Sequence, residues 1–281
     1  MMLFVAKIWA SVPSRQRTTA FFGFGLTIVK NILKSCVQGS RQALPPGNLS
    51  LEQKGATMTT DASQFKAIIF DLDGTLLNTL PDLVEVTNTA LQRAGMPPRT
   101  QQEILGFVGN GVQSLISQVV PEGTSPEQLQ QVYEDWCRIH HKIGTRLTHP
   151  FPHVVETLDQ LKADGIALGV LSNKFDTGVQ EVVAQYLPGY FVAVHGESAD
   201  IPRKPDPTGL CHTIAELGLE PHQCMYVGDS PNDIRTAKAA GAFGVAVAWG
   251  YHLVEDFDPE PVRPHLIVND PRELAWLIEG K

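Results

Sequence analysis

Phe70-Asp71-Leu72-Asp73-Gly74-Thr75-Leu76 is the stretch on which the reading of this chain turns. It closes a short apolar run, Ala67-Ile68-Ile69-Phe70, of the kind that forms a buried β-strand, expected over 66–71. Side chains two residues apart on an extended chain point the same way. Asp71 and Asp73 are therefore expected to meet in one pocket at the carboxyl end of that strand, where open α/β sheets bind ligands. Two carboxylates so close stay ionised only when a cation sits between them or hydrogen bonds hold them. The pair points to Mg²⁺ together with an acid/base couple.

A second acidic cluster lies far down the chain. Gly228-Asp229-Ser230-Pro231-Asn232-Asp233 follows another apolar run, Cys224-Met225-Tyr226-Val227. Asp229 is again placed at a strand end, and Asp233 one turn into a helix that Pro231 is suited to begin. Between the clusters stand Leu171-Ser172-Asn173-Lys174, after the run Ile166 to Val170, and Arg203-Lys204-Pro205 ahead of a helical pattern. A hydroxyl and a lysine set among carboxylates that hold a metal describe a phosphoryl-transfer site. The cation offsets phosphate charge, while Ser and Lys bind its oxygens.

The second half alternates strands and helices: strand 166–171, helix 175–186, strand 191–194, helix 206–217, strand 223–227, helix 231–240, strands 243–248 and 265–268, helix 271–279. That alternation predicts a Rossmann-like parallel sheet covered by helices, an α/β core made of 65–80 and 150–281. From 81 to 149 the pattern is wholly helical, with apolar stripes Leu83, Val86, Ala90, Leu91, then Val112, Leu115, Ile116, Val119, then Leu129, Val132, Tyr133, Trp136.

With the four segments in this order, the chain resembles the haloacid dehalogenase superfamily of phosphatases from about Phe65 to its end. The resemblance implies that 81–149 is an α-helical cap that closes over the site and selects the substrate. It casts Asp71 as the nucleophile that forms an aspartyl-phosphate and Asp73 as the acid/base. It gives Mg²⁺ to the carboxylates of Asp71 and Asp229 and to the backbone carbonyl of Asp73. Asp233 is a further ligand or support of that ion, or else a helix-start cap. Ser172 is expected to hydrogen-bond the phosphoryl group, Lys204 to offset its charge, and Asn173 to extend the phosphate-side donors. Gly74 and Thr75 are expected to turn the backbone so that amides face the phosphate.

Thr79-Leu80-Pro81-Asp82-Leu83, Val108-Gly109-Asn110-Gly111 and Trp249-Gly250-Tyr251 further resemble segments of phosphoglycolate phosphatases. On that basis Asn110 is a substrate contact from the cap, with a tight helix–helix turn as the alternative, and 2-phosphoglycolate is the expected substrate. A β-phosphoglucomutase-like phosphotransferase, a phosphatase for another sugar phosphate and a non-catalytic phosphate-binding module are the alternatives. Dehalogenation is disfavoured by the presence of Asp73, and phosphonate hydrolysis by the absence of Lys from 81–135. Two departures stand out: Asn78 where many relatives have Asp, and Phe151-Pro152-His153 in place of Tyr-Pro-Gly.

Bulk properties narrow the partners. The 281 residues are 43% hydrophobic and 19% charged, as in an ordinary water-soluble protein. Cys36, Cys137, Cys211 and Cys224 form no C-x-x-C pair or zinc spacing, and His140-His141 read as two faces of one helix. Of the net charge of −8, residues 1–57 carry +6 and the remainder −14, so the acidic body argues against nucleic acid. No apolar stretch in the amino-terminal part is long enough to span a bilayer. The expectation is a cytoplasmic monomer or homodimer acting on a small phosphorylated metabolite. Residues 1–60 form a basic extension with three readings: sequence upstream of a true start at Met58, a tail without fixed structure, or a transit peptide.

Overall fold

The computed structural model describes residues 64–257 and 263–279, and the extension 1–60 lies outside the described residues. Six strands form one parallel sheet: β1 Ala67–Phe70, β4 Ala167–Phe175, β5 Ala193–Glu197, β6 Cys224–Gly228, β7 Phe243–Val247 and β8 Leu266–Val268. Their order is β5-β4-β1-β6-β7-β8. β1 is buried along its whole length, as a strand covered by helices on both faces must be. One face carries α5 Val154–Ala163, α6 Asp176–Tyr186 and α9 Arg272–Glu279, packed through Leu158, Val179, Val183 and Leu274. The other carries α7 Thr208–Glu216 and α8 Pro231–Ala240, packed through Leu210, Ile214 and Ala237.

This order sets the site. β1 lies in the middle of the sheet with β4 on one side and β6 on the other, in register from Ala67↔Ala167 and Ala67↔Cys224. The segments after all three strands therefore converge at one end of the sheet, although they are far apart in sequence, near Asp71, Ser172 and Asp229. The strand expected to stop at 171 continues to Phe175, since its pairing with β5 resumes after an irregularity between Leu171 and Phe175. Ser172, Asn173 and Lys174 thus sit on extended backbone rather than in a loop.

Between β2 Leu77–Asn78 and β3 His149–Pro150 the chain is helical: α1 Leu80–Arg93, α2 Gln101–Leu105, α3 Val112–Val119 and α4 Pro126–Ile143. These helices have an apolar centre of their own, built on Leu83, Val86, Leu91, Ile116, Val132 and Trp136. Capping boxes at Thr100 with Glu103 and at Ser125 with Gln128 start α2 and α4. The outgoing and returning strands pair antiparallel, Leu77 opposite Pro150, so the insertion hangs on a two-stranded stem. Asp82 reinforces the stem by accepting hydrogen bonds from Leu147 N at 3.1 Å and Thr148 Oγ1 at 2.7 Å. His153 holds a left-handed backbone at φ 65°, a conformation that favours glycine.

Candidate active site

Three carboxylates meet at the edge where β1 and β6 end. Oxygens of Asp71, Asp229 and Asp233 lie within 4.8 Å of one another, and all three residues are buried. Lys204 enters from the segment before α7 and joins two of them, with Nζ 2.8 Å from Asp71 Oδ1 and 2.7 Å from Asp233 Oδ1. Asp233 Oδ2 accepts from Ser230 N at 2.9 Å and Ser230 Oγ at 2.6 Å, closing the capping box that begins α8. Asp229 Oδ1 accepts from Thr75 Oγ1 at 3.1 Å and Oδ2 from Tyr251 N at 2.7 Å. Asp233 is therefore both cap and member of the cluster, so the two sequence readings of it are compatible.

The electrostatics call for a cation. Burial pushes the Asp71 carboxyl up to about 8, with Lys204 opposing and Asp233 and Asp229 adding to the rise. Burial alone would neutralise Lys204, but Asp233 and Asp71 hold its ammonium charged well above the ordinary range. Three carboxylates against one ammonium leave two negative charges when all are ionised, offset only in part by His252, whose Nδ1 is 3.9 Å from Asp229 Oδ2 and whose pKa that carboxylate raises. A compact set of hard oxygen donors with that excess charge fits a divalent ion such as Mg²⁺.

Asp73 takes a different place. Its carboxylate turns toward Lys174 Nζ at 3.4 Å, outside the trio, so only its backbone carbonyl is left for the ion assigned by resemblance. Ser172 is buried on the cavity wall, where its Oγ accepts from Lys174 N at 3.3 Å. Asn173 differs from expectation. Its amide nitrogen donates to Gly109 O at 2.9 Å and Lys204 O at 3.3 Å, and its oxygen accepts from Lys204 N at 2.7 Å. With both amide hydrogens engaged, Asn173 fastens Lys204 and the helical insertion rather than offering donors to a phosphate.

Gly74 and Thr75 form the turn after β1, with their own amides bonded within it. Gly74 N donates to Leu77 O at 2.9 Å and Thr75 N to Leu72 O at 3.3 Å, so neither amide faces a ligand. Gly74, at φ +85°, instead lets Asp229 approach, since a Cβ there would run into Asp229 Oδ2. Gly250 and Gly228 are needed for the same reason, against Asp229 and Asp233. Asn110 is exposed and does not line the cavity. Its side-chain oxygen accepts from Asn232 Nδ2 at 3.3 Å and its carbonyl from Arg203 Nη1 at 3.0 Å, while the flanking Gly109 and Gly111 form the wall. The expected side-chain contact to substrate is replaced by a latch between insertion and core.

The structure gives roles to residues to which the sequence had assigned none. Tyr251 OH accepts from Thr79 N at 2.8 Å and Leu80 N at 2.9 Å, capping α1 from outside while its own amide holds Asp229. The run Trp249-Gly250-Tyr251 was its sequence signal. Tyr226 OH lies 3.0 Å from Leu171 O and 3.1 Å from Asp233 Oδ1. A cavity of about 530 Å³ separates core from insertion, with Asp71, Asp73, Ser172, Lys174 and Lys204 on one side and Leu115, Trp136 and His140 on the other. His140 stacks on Trp136 with centroids 4.9 Å apart, and burial, helped by Lys174, lowers its pKa to about 4. His141 next to it also lines the cavity but is exposed.

The model of the haloacid dehalogenase-like hydrolase family matches residues 68–247. The chain belongs to that family. The hydrolase is 35% identical over 198 residues to a phosphoglycolate phosphatase of Mannheimia succiniciproducens, covering 68% of this chain and 88% of the relative. It is 34% identical over 207 residues to a phosphoglycolate phosphatase of Aliivibrio fischeri, covering 70% and 91%. Among solved structures, the hydrolase is similar to one from Haemophilus somnus named as a predicted phosphoglycolate phosphatase, with TM-score 0.69, 30% identity, and 75% and 96% of the two chains covered. A haloacid dehalogenase-like family hydrolase of Streptococcus pneumoniae shares the fold, with TM-score 0.68 at 22% identity over 75% and 97% of the chains.

Proposed function

We propose that the chain is an Mg²⁺-dependent phosphatase that converts 2-phosphoglycolate to glycolate and phosphate through an aspartyl-phosphate on Asp71. The observation that carries this reading is the placing of Asp71 at the end of β1, paired to Lys204 and grouped with Asp229 and Asp233, while Asp73 stands apart across the same cavity. Asp71, Asp229, Asp233 and the carbonyl of Asp73 would hold Mg²⁺. When bound, the ion supplies positive charge that keeps Asp71 ionised and offsets the phosphate.

The chain's own groups account for the remaining chemistry. An Asp71 oxygen attacks phosphorus as the ester P–O bond breaks, and Asp73 delivers its proton to the departing oxygen. Water then attacks phosphorus, Asp73 takes its proton, and the Asp71 carboxylate is regenerated with release of phosphate. Lys174 Nζ lies 3.4 Å from Asp73 and keeps that carboxyl turned to the cavity, apart from the other three. Lys204 and the Ser172 hydroxyl face the transferring group, whose charge they offset. The helices 80–143 form the far wall, which sets which leaving group fits.

The relatives named as phosphoglycolate phosphatases support the choice of substrate. One observation favours a second reading: a cavity of about 530 Å³ is roomy for so small a molecule and would admit a sugar phosphate. A screen of phosphorylated metabolites with purified protein and Mg²⁺ tests both. A clear kcat/KM preference for 2-phosphoglycolate supports the first, and a preference for hexose phosphates overturns it while leaving a phosphatase. Absence of phosphate release from every substrate, aryl phosphates included, would overturn the phosphatase reading itself.

A further inference from the structure

Away from the cavity, the edge strand β5 passes beneath α7, and three side chains of metal-binding type come together there. Strand alternation sends Val194 to the helix layer of α5 and α6 and His195 to the layer of α7. His212 and Glu216 are four residues apart on α7 and so share one face. One ring nitrogen of each histidine and one Glu216 oxygen lie within 4.8 Å of one another. His195 Nε2 is 2.6 Å from Glu216 Oε2, and the two imidazoles meet edge-on with centroids 4.8 Å apart. His212 Nδ1 is buried and has no hydrogen-bond partner among the described residues. A buried imidazole nitrogen left without a partner is unusual, and a coordinate bond is one way to satisfy it.

We propose that His195, His212 and Glu216 form a second metal site, selective for Zn²⁺ or a related late transition ion, that ties the edge strand β5 to α7. The donor set decides the class of ion. Two imidazole nitrogens and one carboxylate suit zinc, with water completing four-coordination. The Asp71, Asp229 and Asp233 cluster offers oxygen alone and suits a harder ion. Binding replaces the proton shared between His195 and Glu216 and draws both onto the ion. Glu216 can make that adjustment, since 43% of its side chain is exposed. The site stabilises a strand that, among the described residues, has a sheet neighbour on one side only.

The test is a titration of the full chain with Co²⁺ and with Zn²⁺ in excess Mg²⁺, which competes for the carboxylate cluster. One equivalent of Co²⁺ should give the visible ligand-field absorption of a nitrogen-containing, low-coordinate site, and Zn²⁺ should displace it and raise Tm. His195→Gln and His212→Gln should each weaken binding at least about 100-fold. Glu216→Gln, at an exposed position, should weaken it without disturbing folding, and Asp229→Asn should leave it intact. Lack of absorption and of a Tm shift in the parent protein overturns the proposal. So does a signal that survives His212→Gln, or one that disappears in Asp229→Asn, which would place the ion in the carboxylate cluster.

Discussion

Asp71 is the residue on which the proposed chemistry depends, and its surroundings make a clear test possible. Asp71→Asn keeps the shape of the side chain but removes the nucleophile and one charge from a buried group. Turnover should fall about 10⁴-fold or more, as for other nucleophile losses, with an unchanged circular dichroism spectrum. A folded variant, free of deamidation, that keeps appreciable activity would exclude the covalent route. His140 offers a test through pH. Its folded pKa of about 4 lies below its ordinary 6.5, so the unfolded chain takes up the proton first as the solution is acidified. The stability that neutral His140 allows is complete above about pH 6.5 and is lost as pH falls toward about 4. His140→Gln should therefore lose less stability than the parent between about pH 7.5 and about pH 5 in urea denaturation. Equal losses would show that this imidazole does not titrate as its burial demands.

Helix starts separate stability from chemistry. Ser125 caps α4 on the exposed side of the insertion, whereas Ser230 caps α8 and also holds Asp233 beside Lys204. Ser125→Ala should cost about 1 kcal/mol of stability, typical of a lost cap, and leave kcat unchanged. Ser230→Ala should cost a similar amount and also lower kcat, because Asp233 Oδ2 loses both its bonds to Ser230 if the backbone relaxes. Chemical denaturation paired with steady-state kinetics reads both effects. A Ser230→Ala enzyme with unaltered kcat would show that the cap and the cluster are independent. Gly111 belongs to this scale too: its φ of +79° and the guanidinium of Arg203, 2.6 Å from where a Cβ would sit, bring loop and core into contact.

At the scale of the whole molecule, core and insertion meet across the cavity through a few named contacts: Asn173 to Gly109, Arg203 and Asn232 to Asn110, and Tyr251 to the start of α1. The carboxylate cluster lies at the base of that cavity, so occupancy by a cation should stabilise the folded chain as a whole. Mg²⁺ at about 100 times its Kd should add about 2.7 kcal/mol, by mass action. A chelator should remove both the gain and the activity, and readdition should restore them. In Asp229→Asn the gain should be small, and an undiminished gain there would place the stabilising ion elsewhere. Among the described residues no helix is long and apolar enough to cross a membrane.

The sequence by itself determined the strand ends that carry the carboxylates and the class of fold. Asp-x-Asp-Gly-Thr after an apolar strand carried the reading together with the three later segments in order, and the alternation of strands and helices pointed to a parallel sheet. Helix 231–240 and the apolar stripes of the insertion were equally legible, because period and capping chemistry are local properties. Only the tertiary structure decided which donors remain available. Asn173, Gly74 and Thr75 carry the right groups for a phosphate, yet their hydrogens go to Gly109, Leu77 and Leu72 or to Asp229, partners fixed by the packing of distant segments. Asn110 was drawn to the rim by Arg203 and Asn232, and His140 entered the cavity wall by stacking on Trp136. The meeting of His195 with His212 and Glu216 was likewise hidden, since it requires β5 to lie under α7. Periodicity tells which face a side chain takes; what it meets there depends on how the elements pack.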